Sequence, residues 1–349
     1  MKKKLIFLTL LLFTAYILFF PKDAVTAAAE GLVLWYDRVL PTLLPFAILS
    51  NILISSGYVR YLNRLAAPLI RCFLPVSDNG AFVVLTGFLF GFPMGSKNCA
   101  ELLRQRRISI REAEILFAVT NNISPVFISS YILRQQLALE QVTLISYAVL
   151  YLPPLLCGWL LLHRAGCIRA EEPHRPGMSG TVRHLALARS GASDSRNPEP
   201  SGTVRHLAQS GAKSPKTPAS ESKMNFKIID AGIMNGFETL TRLGGYIMLF
   251  SMAASALKRL PFPEMLRTVL TGFTEITNGI SLLPQSGMPQ NIQYLLAMTF
   301  TAFGGLSGLA QTSSMTKGCG LSLKRYCAVK MLCTGASALL AWGVTVFFL

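Results

Sequence analysis

The chain carries apolar stretches near residues 4–20, 31–57, 112–133, 141–162, 228–257, 290–312 and 328–349. Each approaches the roughly 20 residues that a helix needs to cross a hydrocarbon core. With 51% hydrophobic and only 14% charged residues, the sequence has too little polar surface to coat them in a soluble domain. In lipid, only helices and closed barrels satisfy their own backbone groups. The sequence therefore predicts an all-α polytopic membrane protein, with about seven transmembrane helices and the lipid bilayer as its first partner.

Two further apolar pieces, 80–95 and 268–284, are too short or too interrupted to cross. Both are read as re-entrant hairpins, a form tolerated where protein or a water-filled cavity surrounds the irregular backbone. Basic residues then set the orientation. Arg60, Arg64 and Arg71 follow the second stretch; Lys97, Arg104, Arg106, Arg107 and Arg111 follow the first hairpin; a basic linker follows the stretch at 141–162. All fall on the inner side if that hairpin enters and leaves there, as do Lys317, Lys324, Arg325 and Lys330, whereas Lys258, Arg259 and Arg267 fall outside.

The formal charge of +16 could suggest a nucleic-acid partner, but a third of the 33 Lys and Arg lie between Arg164 and Lys227, and the rest flank apolar runs. That is a membrane-topology pattern rather than a phosphate-reading face. The 7 cysteines contain no C-x-x-C pair and suit small apolar fillers better than disulfides or zinc ligands.

The organisation follows from these signals. Residues 1–29 read as a signal-anchor helix with a cytoplasmic amino terminus, the alternative being a signal peptide cleaved near Ala27-Ala28-Ala29. Residues 30–162 form a first membrane repeat and 228–349 a second. Between them, 163–227 is polar and basic, holds "SGTVRHLA" twice, and cannot bury a core, so disorder is expected. "LPTLLPFAILS" from Leu40 and "LTRLGGYIMLF" from Leu240 share Leu and aromatic positions, and "TGF" recurs at Thr86 and Thr271. The predicted orientation runs these two spans in opposite directions, so the halves are expected to be inverted repeats, a common transporter plan.

Four interruptions carry the polar chemistry: "GFPMGSKN", "NNISP", "TEITNG" and "GGLSGLAQTSS". Pro93 and Gly95 break the first run, Pro125 the second, and Gly304 and Gly305 the last. A helix starting at Ser96, Lys97 and Asn98 would aim N–H groups and an ammonium at an anion; the alternative is a lysine snorkelling to headgroups. The amides of Asn121 and Asn122 can contact a solute or repair freed backbone groups, and Ser124 beside them is a further solute-contact candidate. Ser307 and Gln311, with Thr312, complete the opposite break. Glu275 with Asn278 could bind a coupling proton or sodium ion. Asp37, Arg38, Glu238 and Arg242 suit ion pairs or an interface. Every histidine lies in or beside the linker, no serine has a base nearby, and there is no P-loop. An enzyme, a metal site or a cofactor is not expected.

The block "GFLFGFPMGSKNCAELLRQRRISIREAEILFAVTNNISPVFI" resembles the signature of sporulation integral membrane proteins of the YlbJ type. "LVLWYDRVLPTLLPFAILSNILISSG" and "FGGLSGLAQTSS" resemble further blocks, so the resemblance covers roughly 30–160 and 228–349. That family is similar to the nucleoside-recognition or gate-domain membrane proteins, with paired inverted repeats. The resemblance implies a spore-forming bacterium, a location in the mother-cell-derived outer forespore membrane, and transport of dipicolinic acid towards the forespore. A nucleoside-like solute and a non-transporting assembly factor are the alternatives.

Overall fold

Every regular element of the computed structural model, which describes residues 2–165 and 225–349, is helical. The duplicated linker sequence and its expected disorder lie outside the described residues. In the first half, α1 (Lys2–Phe19) leads into α2 (Pro21–Leu34), which continues through a π-helical turn at Trp35–Val39 into α3 (Leu40–Ser56). The result is one apolar helix of 36 residues, Pro21–Ser56. The boundary drawn at residue 29 falls inside it. Gly57, at φ 77°, supplies the left-handed residue that ends it.

Next comes α4 (Val59–Phe73), an amphipathic helix not foreseen in the sequence. It exposes Tyr61, Leu65, Leu69 and Phe73 at spacings of four, an apolar stripe suited to the membrane interface. The chain then bends by 83° into α5 (Asp78–Leu89). α6 (Met94–Arg104) returns along α5, which makes the first helical hairpin. Ser77 caps α5 by accepting the Gly80 N–H at 3.0 Å, and Glu112 accepts the Ser77 N–H at 2.7 Å. This pins α7 (Ile110–Val119) to the hairpin base. After a break at 120–124 come a π-helical stretch, Phe127–Leu137, and α8 (Thr143–Arg164).

The second half has α9 (Phe226–Lys258), a short hairpin of α10 (Glu264–Thr274) and α11 (Ile276–Leu282), then α12 (Gln290–Phe303), a break at Gly304, α13 (Gly305–Met315) and α14 (Leu323–Phe347). Among the described residues, five helices are long and apolar enough to cross a membrane, or six if the bent α4–α5 pair is one span. The expected count of about seven is therefore reduced. The apolar part of α1, Phe7–Phe19, is short, and the stretch at 112–133 is interrupted mid-way.

The two longest helices, Pro21–Ser56 and α9, pack antiparallel. Gly232 faces Ile52, Gly236 faces Ile48, Gly244 faces the Trp35 ring and Gly31 faces Ser251. Small residues four apart let backbones approach closely where lipid offers no hydrophobic drive. The Trp35 indole N–H also donates to the Leu240 carbonyl at 2.8 Å. Both halves contribute to each main core. Phe82, Leu116 and Phe117 pack with Tyr326, while Ile132 and Leu150 pack with Tyr294 and Phe300.

Candidate solute site at the crossed helix breaks

In the first half, the hairpin tip docks on the break. The Phe92 N–H donates to the Asn122 carbonyl at 2.5 Å. Gly91, at φ 77°, is so close to Ser124 that a Cβ would lie 2.5 Å from its nitrogen. The Thr120 carbonyl is held between Gly87 and Gly95, where added Cβ atoms would lie 2.4 and 2.5 Å from its oxygen. The glycines of "TGFLFGFPMG" thus serve a backbone-to-backbone contact that any side chain would prevent.

The second half repeats the arrangement. The tip at Glu275 lies on the Gly304–Gly305 break, with Gly305 against the Thr274 carbonyl and Ile276. Glu275 is buried at 4% exposure, and its oxygens accept the Asn278 N–H at 2.8 Å and the Thr277 hydroxyl at 3.2 Å. It caps α11. The Asn278 amide donates to Ser251 at 3.0 Å.

Breaking a helix inside the protein frees carbonyls that cost about 1–3 kcal/mol each if left unpaired. Here α8 repairs them. Tyr151 donates to the Ile123 carbonyl at 2.7 Å and Tyr147 to the Pro125 carbonyl at 3.2 Å. Asn122 Nδ2 donates to the Val119 carbonyl at 2.7 Å, and Ser124 Oγ accepts the Phe127 N–H at 3.4 Å. Asn122 therefore makes a backbone repair of the kind the sequence offered for the amides, and Ser124 accepts an N–H of the stretch that follows.

The two breaks are then tied to each other. Asn121 Nδ2 donates to Thr312 Oγ1 at 2.8 Å and to the Tyr326 hydroxyl at 2.9 Å. Lys330 Nζ donates to Asn122 Oδ1 at 3.2 Å and to the Ala302 carbonyl at 3.3 Å. The ring of Phe92 approaches Gly308 on α13. Arg104, at the end of α6, donates to the Met315 carbonyl at 3.2 Å, which closes the end of α13. Between Asn122, Ile123, Tyr151, Thr301 and Ala302 lies a space of about 10 Å³, room for a single water.

Of the residues singled out in the sequence, several keep a buried polar atom without a hydrogen-bond partner: Ser96 Oγ, Lys97 Nζ, Asn98 Oδ1, Asn121 Oδ1 and Gln311 Oε1. Asn98 uses its Nδ2 on Thr86 at 3.0 Å, and Gln311 uses its Nε2 on Ser307 at 2.7 Å. Lys97 makes no hydrogen bond to Asn121 or Asn122; Glu101 on its own helix and Glu238 on α9 are the carboxylates acting on it. Glu238 itself pairs with Arg242 at 2.5 Å on the surface. Among the described residues, no group of three or more His, Cys, Asp or Glu could hold a metal ion.

Lys330 was grouped in the sequence with the inner-side basic residues. It is instead buried, at 4% exposure, and sits at the crossing of the breaks. The signal was present: Lys330 lies more than a turn inside the helix Leu323–Phe347, past Lys324 and Arg325 in its first turn, and a lysine within an apolar helix is a functional candidate by default. Tyr147, Tyr151 and Tyr326 were also missed, since an aromatic in an apolar helix gives no sign of which carbonyl or amide it will meet.

No protein-family profile matches the chain, and no solved structure matches it. Sporulation integral membrane protein YlbJ of Bacillus subtilis (strain 168) is 26% identical over 348 aligned residues, covering 92% of this chain and 78% of that protein. The similarity extends well beyond the Gly-Phe-Pro-Met-Gly block, and the chain is a distant homologue of that sporulation integral membrane protein.

Proposed function

We propose that the chain is a non-enzymatic secondary permease of spore formation. It moves a small anion, dipicolinate, across the outer forespore membrane towards the forespore, with a cytoplasmic amino terminus and a coupling proton or sodium ion. The bilayer part consists of two gate-type inverted repeats, 30–162 and 228–349. Support comes from the matching order of elements in the halves: long helix, hairpin, broken helix, long helix. The antiparallel packing of Pro21–Ser56 on α9 further supports inversion.

One observation carries the transport reading. The breaks of the two halves meet through Asn121, Thr312, Tyr326, Asn122 and Lys330, and unpaired polar atoms remain on Asn121, on Gln311 of α13, and on Ser96, Lys97 and Asn98 of α6, which packs against α13. A scaffold has no use for polar half-helix ends at such depth. With space for about one water between the breaks, this arrangement is closed, and solute enters when the halves separate. Ser96 and Lys97 supply donors for carboxylates. Asn98, Asn121 and Gln311 can each turn an amide N–H or an oxygen to the solute.

The three unpaired amide oxygens also favour a second reading, a nucleoside-like solute with its own donors. Isothermal titration of nanodisc-embedded protein with dipicolinate, benzoate and uridine separates the two. The anion reading requires dipicolinate to bind best and Lys97→Ala to weaken it at least tenfold. Preferential binding of uridine, unaffected by Lys97→Ala, would overturn it.

A further inference from the structure

Lys330 is a buried cation with no carboxylate paired to it among the described residues. Such a charge is strongly unfavourable unless fixed dipoles compensate for it. Its partners are neutral oxygens only. Ala302 lies in the last turn of α12, which stops at Phe303 because Gly304 takes φ 87°. Its carbonyl therefore belongs to the negative end of a half-helix. The other partner, Asn122 Oδ1, is oriented without ambiguity. Asn122 Nδ2 faces the Val119 carbonyl, which can only accept, so the oxygen must face Lys330.

A half-helix carboxyl end together with a side-chain or unwound-backbone oxygen is the ligand set with which broken membrane helices hold Na⁺. The ammonium carries the same single charge and reaches this place on a tether from α14. We infer that Lys330 is a built-in substitute for a bound alkali cation, holding the two breaks together where another protein would need Na⁺. Truncating it to alanine removes four heavy atoms against Asn122 and Ala302, which also line the existing 10 Å³ space, and so leaves room for a small ion and water against the same oxygens. Resting on the permease reading, this narrows the coupling ion, since uptake then needs no Na⁺ at the crossing. Glu275, the other buried candidate, already uses its oxygens as the cap of α11.

The test uses full-length protein in detergent, with no solute present, so it is independent of whether the permease reading holds. Thermal unfolding midpoints are compared in NaCl, LiCl and choline chloride at equal ionic strength for wild type, Lys330→Ala and Lys330→Met. Wild type should unfold at the same temperature in all three salts. Lys330→Ala should be lowered in choline and raised selectively by Na⁺ or Li⁺, whereas Lys330→Met, which fills the space with an apolar chain, should be lowered in every salt. Selective stabilisation of wild type by Na⁺ would overturn the inference. So would a Lys330→Ala protein that shows no ion selectivity, or that cannot be recovered folded in either NaCl or LiCl. If wild type carries no solute in vesicles, the permease reading fails while these midpoints still stand.

Discussion

Replacing Gly95 with alanine places a methyl group where the docked hairpin has none to spare. The new Cβ would lie 2.5 Å from the Thr120 carbonyl oxygen and 2.9 Å from Thr120 Oγ1, against 3.4–4 Å for ordinary contact. The carbonyl is backbone and cannot swing away as a side chain would. It cannot retreat towards α5 either, because Gly87 already closes that side. Overpacking of this kind costs about 1–3 kcal/mol, opposed by up to about 1 kcal/mol from alanine's better helix propensity. A matched control exists at Gly335 on α14, where an added Cβ meets nothing within 4 Å. Gly335→Ala should keep the propensity gain alone, so the two variants should differ by the overpacking cost, about 1–3 kcal/mol. In detergent this is a gap of roughly 2–8 °C in the unfolding midpoint. Equal midpoints for Gly95→Ala and Gly335→Ala would refute the docking of the hairpin tip on the first break.

Tyr151→Phe removes the donor to the Ile123 carbonyl and should cost about 1–3 kcal/mol, with faster hydrogen exchange in the flanking residues of the break as the local readout. Glu275→Ala should lose about 0.5–2 kcal/mol as the cap of α11 disappears, while Glu275→Gln, which retains an acceptor oxygen, should lose less in the same melt. Gly236→Leu should separate α9 from Ile48 on α3 and lower the midpoint more than the same change at Gly245, where nothing lies within 4 Å. A polar thiol reagent should label exposed Cys72 quickly and leave buried Cys99 and Cys333 protected until unfolding, as mass spectrometry would record.

Much of the fold was legible because the signals are local. Pro93, Pro125, Gly304 and Gly305 mark the breaks in a sequence reading, since each removes a donor or permits a backbone that a helix forbids. The structure interrupts its helices at or within two residues of all four, whereas Gly95, read as a fifth break, lies inside α6. What could not be read were the contacts between halves separated by more than 200 residues, such as Asn122 with Lys330 and Asn121 with Tyr326. Hydropathy placed Lys330 by its neighbours in sequence, and the neighbours that matter come from the first break and from α12. The amphipathic α4 was hidden for a related reason. Its arginines read as a topology signal, and its apolar stripe at every fourth residue was absorbed into the flank of the preceding span. Lys97 shows the limit from the other side. Its enclosure with an unpaired Nζ is visible only once α6 is packed.

The most direct test of the transport account is the uptake of radiolabelled dipicolinate into proteoliposomes containing the full-length chain, alongside vesicles with the folded Asn121→Ala and Lys97→Ala variants. The account predicts saturable uptake by wild type above protein-free vesicles and loss of most of it in both variants. Folded wild type that takes up no dipicolinate, or variants that take it up at the wild-type rate, would contradict it.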